Sequence, residues 1–375
     1  MKIYYIANAR IPTEKAHGIQ IAKMCEALIE AGTDLTLIVP SRGDTTTTLQ
    51  EFYGLRVSVP TIVITVPNYY IFGKVGFLYS SIFFMYVCMR FLQGKRKLGE
   101  KFQIYSVDMD TFSYALLPLS GATSIEMHSP KKATLANRFF FKRVTHVIAT
   151  NSLIQRALVE TFALQEGVSL VAPNGFDIPS HTKTREEARS ELGIPMETRL
   201  LIYVGRALSW KGMEVLPKAL QNLPDDISCY LVGVTQSQLH EISGGLIPKG
   251  FVAVGERPPA EVQVWLAAAD IGLVLGTKEN ESSFRYTSPM KVFEYIGAAL
   301  PIVASDTPAL LDVLSDSEAF LYKHDNPESL KDTVLRALSS RAEALKKAEY
   351  ARVAKEKFSW KHRAETVRNL LKNTP

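Results

Sequence analysis

Apolar and polar positions along this chain switch repeatedly between two periods. Residues 2–7 form a short apolar run that reads as a strand, and residues 18–31 carry Ile21, Met24, Cys25, Leu28 and Ile29 at helical spacing. Residues 35–39 are strand-like again, which completes a β-α-β unit. Further strand-like runs fall at 57–66, 103–107, 123–127, 146–149 and 168–171, with helical stretches between them. A mostly parallel sheet is the economical solution for that alternation. Pro173, Asn174 and Gly175 then supply turn formers, and a polar segment follows through Ser190, which marks a domain junction. A second alternating series has strands predicted at 199–204, 227–232, 271–275 and 301–304. Its helices are predicted at 213–220, at 260–269 and from Pro289 onward. The tail, 327–371, reads as mostly helical with breaks near Ser339 and Ser340 and around Phe358, Ser359 and Trp360.

Composition narrows the class. A chain of 375 residues exceeds the usual single core and fits two domains, 1–175 and 176–355, followed by a last segment, 356–375. Hydrophobic residues at 46% and charged residues at 22% exclude a disordered chain. The formal charge of +5 favours anionic partners weakly and does not point to nucleic acid. Cys25, Cys88 and Cys229 are odd in number and widely spaced, which fits a reducing compartment and argues against a disulfide framework or a thiolate metal site. The opening residues run directly into Asn8 and Arg10, so they read as a first strand rather than a signal peptide.

The most apolar region is 69–92, with Lys74 inside it and Arg90, Lys95, Arg96 and Lys97 at its far end. The fifteen residues between Lys74 and Arg90 fall short of the roughly 20 needed to span a bilayer. Two readings stay open. Phe83, Phe84, Val87 and Met89 pack against the sheet, or the region lies on an anionic membrane surface together with Lys131, Lys132 and residues 138–143.

Candidate chemistry concentrates in residues 285–295. Ser288 is suited to cap a helix and Pro289 to its first position, so the N–H groups of Met290 and Lys291 would face an anion such as a diphosphate. Glu294, deeper in the same helix, would accept hydrogen bonds from a ribose diol. The plainer alternative is a capped amphipathic helix with Val292, Phe293 and Ile296 in the core. Gly205 and Arg206 end a predicted strand, with Lys211 shortly after. Arg206 can fork around phosphoryl oxygens and Lys211 adds a mobile point charge, unless both are simply solvated loop cations.

In the first half, His17 and Gly18 stand at the mouth of the first helix, where open parallel sheets bind ligands, although a tight turn also explains Gly18. The dinucleotide pattern G-x-G-x-x-G and the P-loop are both missing, which disfavours NAD binding and ATP hydrolysis. His128 follows a predicted strand and either makes a structural hydrogen bond or positions a substrate hydroxyl. Asp108 and Asp110 are strand-end carboxylates without an accompanying set of metal ligands.

Taken together, His17 with Gly18, His128, residues 173–177, Gly205 with Arg206, Lys211 with Gly212, Gly255 with Asp270, and residues 289–291 with Glu294 give a sequence that resembles the family 4 retaining glycosyltransferases over nearly its whole length. The resemblance implies the GT-B fold, with two Rossmann-like α/β domains facing across a cleft and residues 356–375 returning as a helix to the first domain. It implies a UDP- or GDP-linked sugar as donor, with no metal and no further cofactor. Gly18, Gly205, Arg206, Lys211, Tyr286, Ser288, Pro289, Met290, Lys291 and Glu294 would form the donor site. His17, Gly18 and Asp108 would lie on the acceptor side, and His128, Arg206 and Lys211 would act in catalysis. The implied activity is retaining transfer to a glycan or lipid-linked glycan hydroxyl in polysaccharide or glycolipid assembly. The implied location is cytoplasmic, peripheral on the inner face of the cell membrane. One position departs from the family, which often carries two glutamates separated by seven residues. Here the second is Glu294 and the first is Tyr286. That leaves two rivals standing: a UDP-sugar epimerase of the same fold, and a noncatalytic nucleotide-sugar-binding homologue.

Overall fold

The computed structural model describes residues 1–42, 47–67, 73–177 and 183–372. The chain forms two compact units, Met1–Asn174 together with Trp360–Pro375, and Gly175–Ser359. The first contains β1 (Lys2–Ile6), α1 (Ala16–Glu30), β2 (Asp34–Pro40), α2 (Leu49–Tyr53), β3 (Thr61–Ile64), α3 (Gly73–Lys97), β4 (Gln103–Val107), β5 (Thr123–Met127), α4 (Leu135–Phe141), β6 (His146–Ala149), α5 (Ser152–Phe162) and β7 (Ser169–Val171). The second runs α6 (Arg185–Leu192), β8 (Arg199–Val204), α7 (Val215–Leu220), β9 (Ile227–Val232), α8 (Gln236–Ile242), β10 (Phe251–Gly255), α9 (Pro259–Ala268), β11 (Ile271–Val274), α10 (Met290–Gly297), β12 (Ile302–Ser305), α11 (Pro308–Leu311), β13 (Phe320–Tyr322), α12 (Pro327–Ser339) and α13 (Arg341–Ala354). The last helix, α14 (Trp360–Lys372), belongs to the first unit.

Each unit is a doubly wound parallel sheet. The first has seven strands in the order β3-β2-β1-β4-β5-β6-β7, and the second has six in the order β10-β9-β8-β11-β12-β13. In both, the chain winds outward from its first strand and then restarts on that strand's other side. The switch points therefore lie between β1 and β4 and between β8 and β11, and ligands of open α/β sheets bind at the carboxyl ends of such strand pairs. Alternation along β8 shows why both faces are covered: Leu200 and Ile202 enter a core with α9 and α10, while Leu201 and Tyr203 enter another with α7 and α12.

Where sequence and structure differ, backbone chemistry gives the reason. Within 57–66 the paired strand is confined to Thr61–Ile64, starting after Pro60, which has no N–H to offer a ladder. The polar junction segment contains α6, held by a Thr184 and Glu187 capping box. Strands β10 and β13, of five and three residues, are not among the expected strands. Helix α3 does not stop at Arg90 but runs 25 residues to Lys97. Among the described residues it is the one helix long and apolar enough to cross a membrane by length and composition, although part of it is buried in the unit. Residues 69–72 of that apolar stretch lie outside the described residues.

Asp270 ties the second unit together at the far end of β8. It accepts from Arg185 Nε (2.9 Å), Arg189 (2.8 Å) and the Leu200 backbone N–H (2.7 Å), so one carboxylate joins α6 to the sheet. Arg189 is wholly buried, and the carbonyls of Ala268, Pro195, Met196 and Thr198 accept its remaining N–H groups. Asp270 therefore acts as a structural ion-pair partner. Asp270→Ala would leave a buried guanidinium without its carboxylate and is expected to destabilise this unit by about 3–5 kcal/mol. Scanning calorimetry checks this, and an unmoved thermal transition would contradict it.

Candidate active site

The clearest charged cluster forms where β8 ends. Gly205, at φ +132°, occupies backbone space closed to most residues, and a Cβ built on it would stand 3.5 Å from both Lys211 Nζ and Lys291 Nζ. Two ammonium groups from different segments thus converge on one bare stretch of backbone. Lys211 ends the short 3-10 turn Ser209–Lys211, and Lys291 is the second residue of α10. Lys291 is buried, with Nζ 3.4 Å from the centre of the Tyr203 ring. Lys211 lies 5.6 Å from the Trp210 ring centre.

The cluster is electrostatically costly in itself. Burial, reinforced by the neighbouring Arg206, pulls the Lys211 ammonium down to about 8. Burial and then Lys211 drive Lys291 well below the ordinary lysine range, with Glu294 pulling the other way. The Glu294 carboxyl is raised by burial, and Lys291 opposes that rise. Arg206 is exposed at the edge of the group.

Helix α10 is seated by its neighbours. The Tyr295 hydroxyl accepts from the Val204 backbone N–H (3.0 Å), and a Cβ at Gly272 would come within 2.5 Å of the Tyr295 ring. That glycine in β11 lets the helix lie against the sheet with its start beside Gly205. The helix opening differs from the expectation for Ser288. The N-cap is Pro289, in an extended conformation, and no side chain caps the helix, which begins at Met290. Because Pro289 is extended rather than helical, the helix starts one residue later than expected and Ser288 lies one position before the cap. The first-turn N–H groups of Met290 and Lys291 have no intrahelical carbonyl to bond, so an anion is still favoured there. Tyr286 ends the π-helical turn Ser282–Tyr286 and is half-buried. Val292, Phe293 and Ile296 are in the core, as the plainer reading of this helix requires, so one segment serves both purposes.

In the first unit, Gly18 is the third residue of α1, at the mouth of that helix as expected. Its N–H donates to the Lys15 carbonyl (2.9 Å), and a Cβ there would come within 2.4 Å of the Tyr53 hydroxyl, so the missing side chain makes room for Tyr53 packing. His17 is half-buried beside it. Asp108 follows β4 at the switch point, where Lys131 pairs with it at 2.7 Å and Ser129 donates to it at 3.1 Å. His128 follows β5, with Nε2 3.0 Å from Glu126 Oε1. The sequence reading did not single out Glu126, Arg363 or Tyr295. Glu126, two residues before His128 in a strand and so on the same side, was the most accessible of the three.

Residues 184–358 match the family model for glycosyl transferases group 1. The chain is 26% identical over 171 residues to TuaC of Bacillus subtilis (strain 168), a glycosyltransferase named for teichuronic acid biosynthesis, covering 45% of this chain and 41% of that protein. It is 25% identical over 247 residues to a D-inositol 3-phosphate glycosyltransferase of Corynebacterium jeikeium (strain K411), covering 61% and 57%. The chain therefore spans about half the length of the curated relatives it matches. Among solved structures, the Anabaena protein Alr3699/HepE in complex with UDP and glucose superposes with a TM-score of 0.75 at 16% identity, covering 100% of both chains. WaaG, a glycosyltransferase involved in lipopolysaccharide biosynthesis, gives 0.69 at 13% identity, again over 100% of both. Residues 184–358, most of the second unit, are thus a glycosyl transferases group 1 domain, and the chain as a whole has the GT-B fold of two Rossmann-like units.

Proposed function

We propose that this protein transfers a sugar from a nucleoside-diphosphate sugar to a hydroxyl of a glycan or lipid-linked glycan, with retention at the anomeric carbon. The observation that carries the reading is the convergence of Lys211 and Lys291 on Gly205 at the second unit's switch point, beside the uncapped start of α10. A bound diphosphate supplies the negative charge that this cluster lacks. As the sugar–phosphate bond breaks, charge grows on the leaving phosphate, so the same cations stabilise the transition state more than the bound donor. Arg206 adds bidentate donors from the exposed edge. Glu294 accepts from the ribose diol, and Tyr286 occupies the place of the family's first glutamate. In front-face transfer, the acceptor hydroxyl approaches the face from which the diphosphate departs, and the departing phosphate takes its proton. Structural neighbours crystallised with UDP and UDP-glucose support a UDP-linked donor. Relatives named for teichuronic acid and lipopolysaccharide biosynthesis support an acceptor in surface-polymer assembly.

The acceptor's class bears on α3. Its inward stripe is partly polar, with Ser80 accepting from Arg42 (3.1 Å) and Ser81 from Asn8 (2.8 Å). Its outward face carries Val75, Phe77, Tyr79, Ile82, Phe83 and Tyr86, all exposed, and the helix ends in Lys95, Arg96 and Lys97. We read this face as the one that rests on an anionic membrane on the cytoplasmic side, where a lipid-linked acceptor would be found. Of the second element of that reading, α4, Phe140 and Phe141 are buried in the core, so exposed Leu135, half-buried Phe139 and the flanking cations remain to contribute.

Incubation with UDP- and GDP-sugars and candidate acceptors, followed by NMR of the products, tests the reading. Retained anomeric configuration in a new glycoside is the expected product. Epimerised donor would establish the rival isomerase, and tight nucleotide binding with neither reaction would establish a binding module. Lys211→Ala should lower kcat/KM by about 10²–10³-fold without lowering the thermal transition, as loss of one transition-state charge donor does. Glu294→Gln should raise the donor KM, and unchanged kinetics in both variants would remove this assignment. In vesicle flotation, the protein should bind anionic but not neutral liposomes at low salt. Tyr79→Ser with Phe83→Ser should abolish that binding, and equal flotation of wild type and variant would reject the α3 surface.

A further inference from the structure

Glu126 is the densest polar junction of the first unit, and the transfer reading leaves it without a role. It is wholly buried at the fourth position of β5. His128 Nε2 lies 3.0 Å from Oε1, Arg363 of α14 lies 2.9 Å from the same oxygen, and Gln20 donates to it from α1. The Tyr105 hydroxyl donates to Oε2 at 2.7 Å. Burial acts to raise this carboxyl, but the Arg363 charge and the His128 and Tyr105 hydrogen bonds outweigh it and hold it at about 2. It is ionised. Arg363 is itself fixed, with the Pro173 carbonyl accepting from Nε at 2.7 Å and the Ala172 carbonyl from the guanidinium at 3.3 Å. The His128 side chain is 31% exposed, so it is anchored inward at one nitrogen and open elsewhere.

We propose that Glu126 is a positioning residue for His128. An ionised carboxylate only accepts, so Nε2 must carry the proton facing Glu126, and in the neutral ring Nδ1 is left as the hydrogen-bond acceptor. His128 then meets substrate as an acceptor from a hydroxyl, with its ring plane set by a carboxylate whose own position Arg363, Tyr105 and Gln20 determine. The same carboxylate holds α14 to β5, so the seat of the last helix and the orientation of the histidine depend on one group. The kinetic part of this inference rests on the transfer reading above, whereas the tautomer does not.

A double-mutant cycle separates positioning from simple structural support. Glu126→Gln should lower kcat by about 10²–10⁴-fold, the scale of losing a carboxylate that orients a histidine, with donor KM little changed. In a His128→Ala background the same change should alter kcat less than about twofold, because the group it acts through is gone. A further loss of tenfold or more in that background would show that Glu126 acts only on the fold and would overturn the proposal. Because Glu126→Gln leaves the Arg363 charge unmatched, the cycle is repeated with Glu126→Asp, which keeps the charge and shortens the reach toward His128. The imidazole 15N spectrum of the wild-type protein, at a pH where the ring is neutral, gives a readout without any sugar donor. A protonated Nε2 and bare Nδ1 on His128 support the inference, and a protonated Nδ1 overturns it. Failure of the wild type to transfer any sugar would sink the transfer reading and leave the spectrum to decide this one.

Discussion

Lys291 sits in the body of the second unit with its ammonium against the face of Tyr203, and the carboxyl edge of that sheet is organised around the consequence of that burial. A desolvated ammonium loses its hydration and keeps its proton only if something negative or π-rich stands nearby. Tyr203 supplies the π face and Glu294 an opposing charge, but Lys211 repels it and is itself repelled by Arg206. Between about pH 8 and the ordinary lysine range, the unfolded chain carries a proton on Lys211 that the folded chain lacks. The cluster therefore opposes folding at neutral pH and opposes it less as pH rises. A diphosphate reverses the balance. The mutual repulsion of these cations is what makes an anionic ligand favourable there.

The fold holds this arrangement through small packing decisions far from any charge. Gly272 gives Tyr295 room to lie on β11, and the Tyr295 hydroxyl takes the Val204 N–H. Gly297 lets the chain at Phe176 and Asp177 approach, since a Cβ there would come within 2.7 Å of the Asp177 carbonyl. Both contacts fall in the last three residues of α10, so that end is fixed while Lys291 stands at the other end and Lys211 arrives on a short turn. Asp270 repeats the principle at the opposite end of β8, where a buried arginine is tolerable because every donor has an acceptor. Glu126 repeats it in the first unit with the charges exchanged.

Much of the fold was legible because long strands and amphipathic helices carry their period openly. Strands 199–204 and 227–232 fall on the predicted residues, while β10 and β13 were not read and the polar composition of α6 hid its period. In the candidate site, Gly205, Lys211 and Lys291 were nameable from strand-end and helix-start positions, and the structure brings them together. Ser288 was placed one residue too close to the helix because Pro289 was read as its first residue, whereas Pro289 is extended and serves as the cap. Gly18 was legible as a glycine at a helix mouth, but the Tyr53 hydroxyl that crowds it was not, because it comes from 35 residues away. Arg363 was invisible for the same reason: its partner Glu126 is 237 positions away, and no local pattern joins them.

The central claim is that Lys211 and Lys291 are short of charge until a diphosphate arrives, and proton uptake on binding measures that directly. Titration calorimetry of UDP binding at about pH 8.5, repeated in buffers of different ionisation enthalpy, reports the protons exchanged. Because Lys211 sits at about 8 and a neighbouring phosphate raises it, the protein should take up protons as UDP binds, and its affinity should fall as pH rises above that value. The uptake should shrink in Lys211→Ala. Binding with no proton exchange, and with an affinity flat from pH 7 to 9.5, would contradict the account.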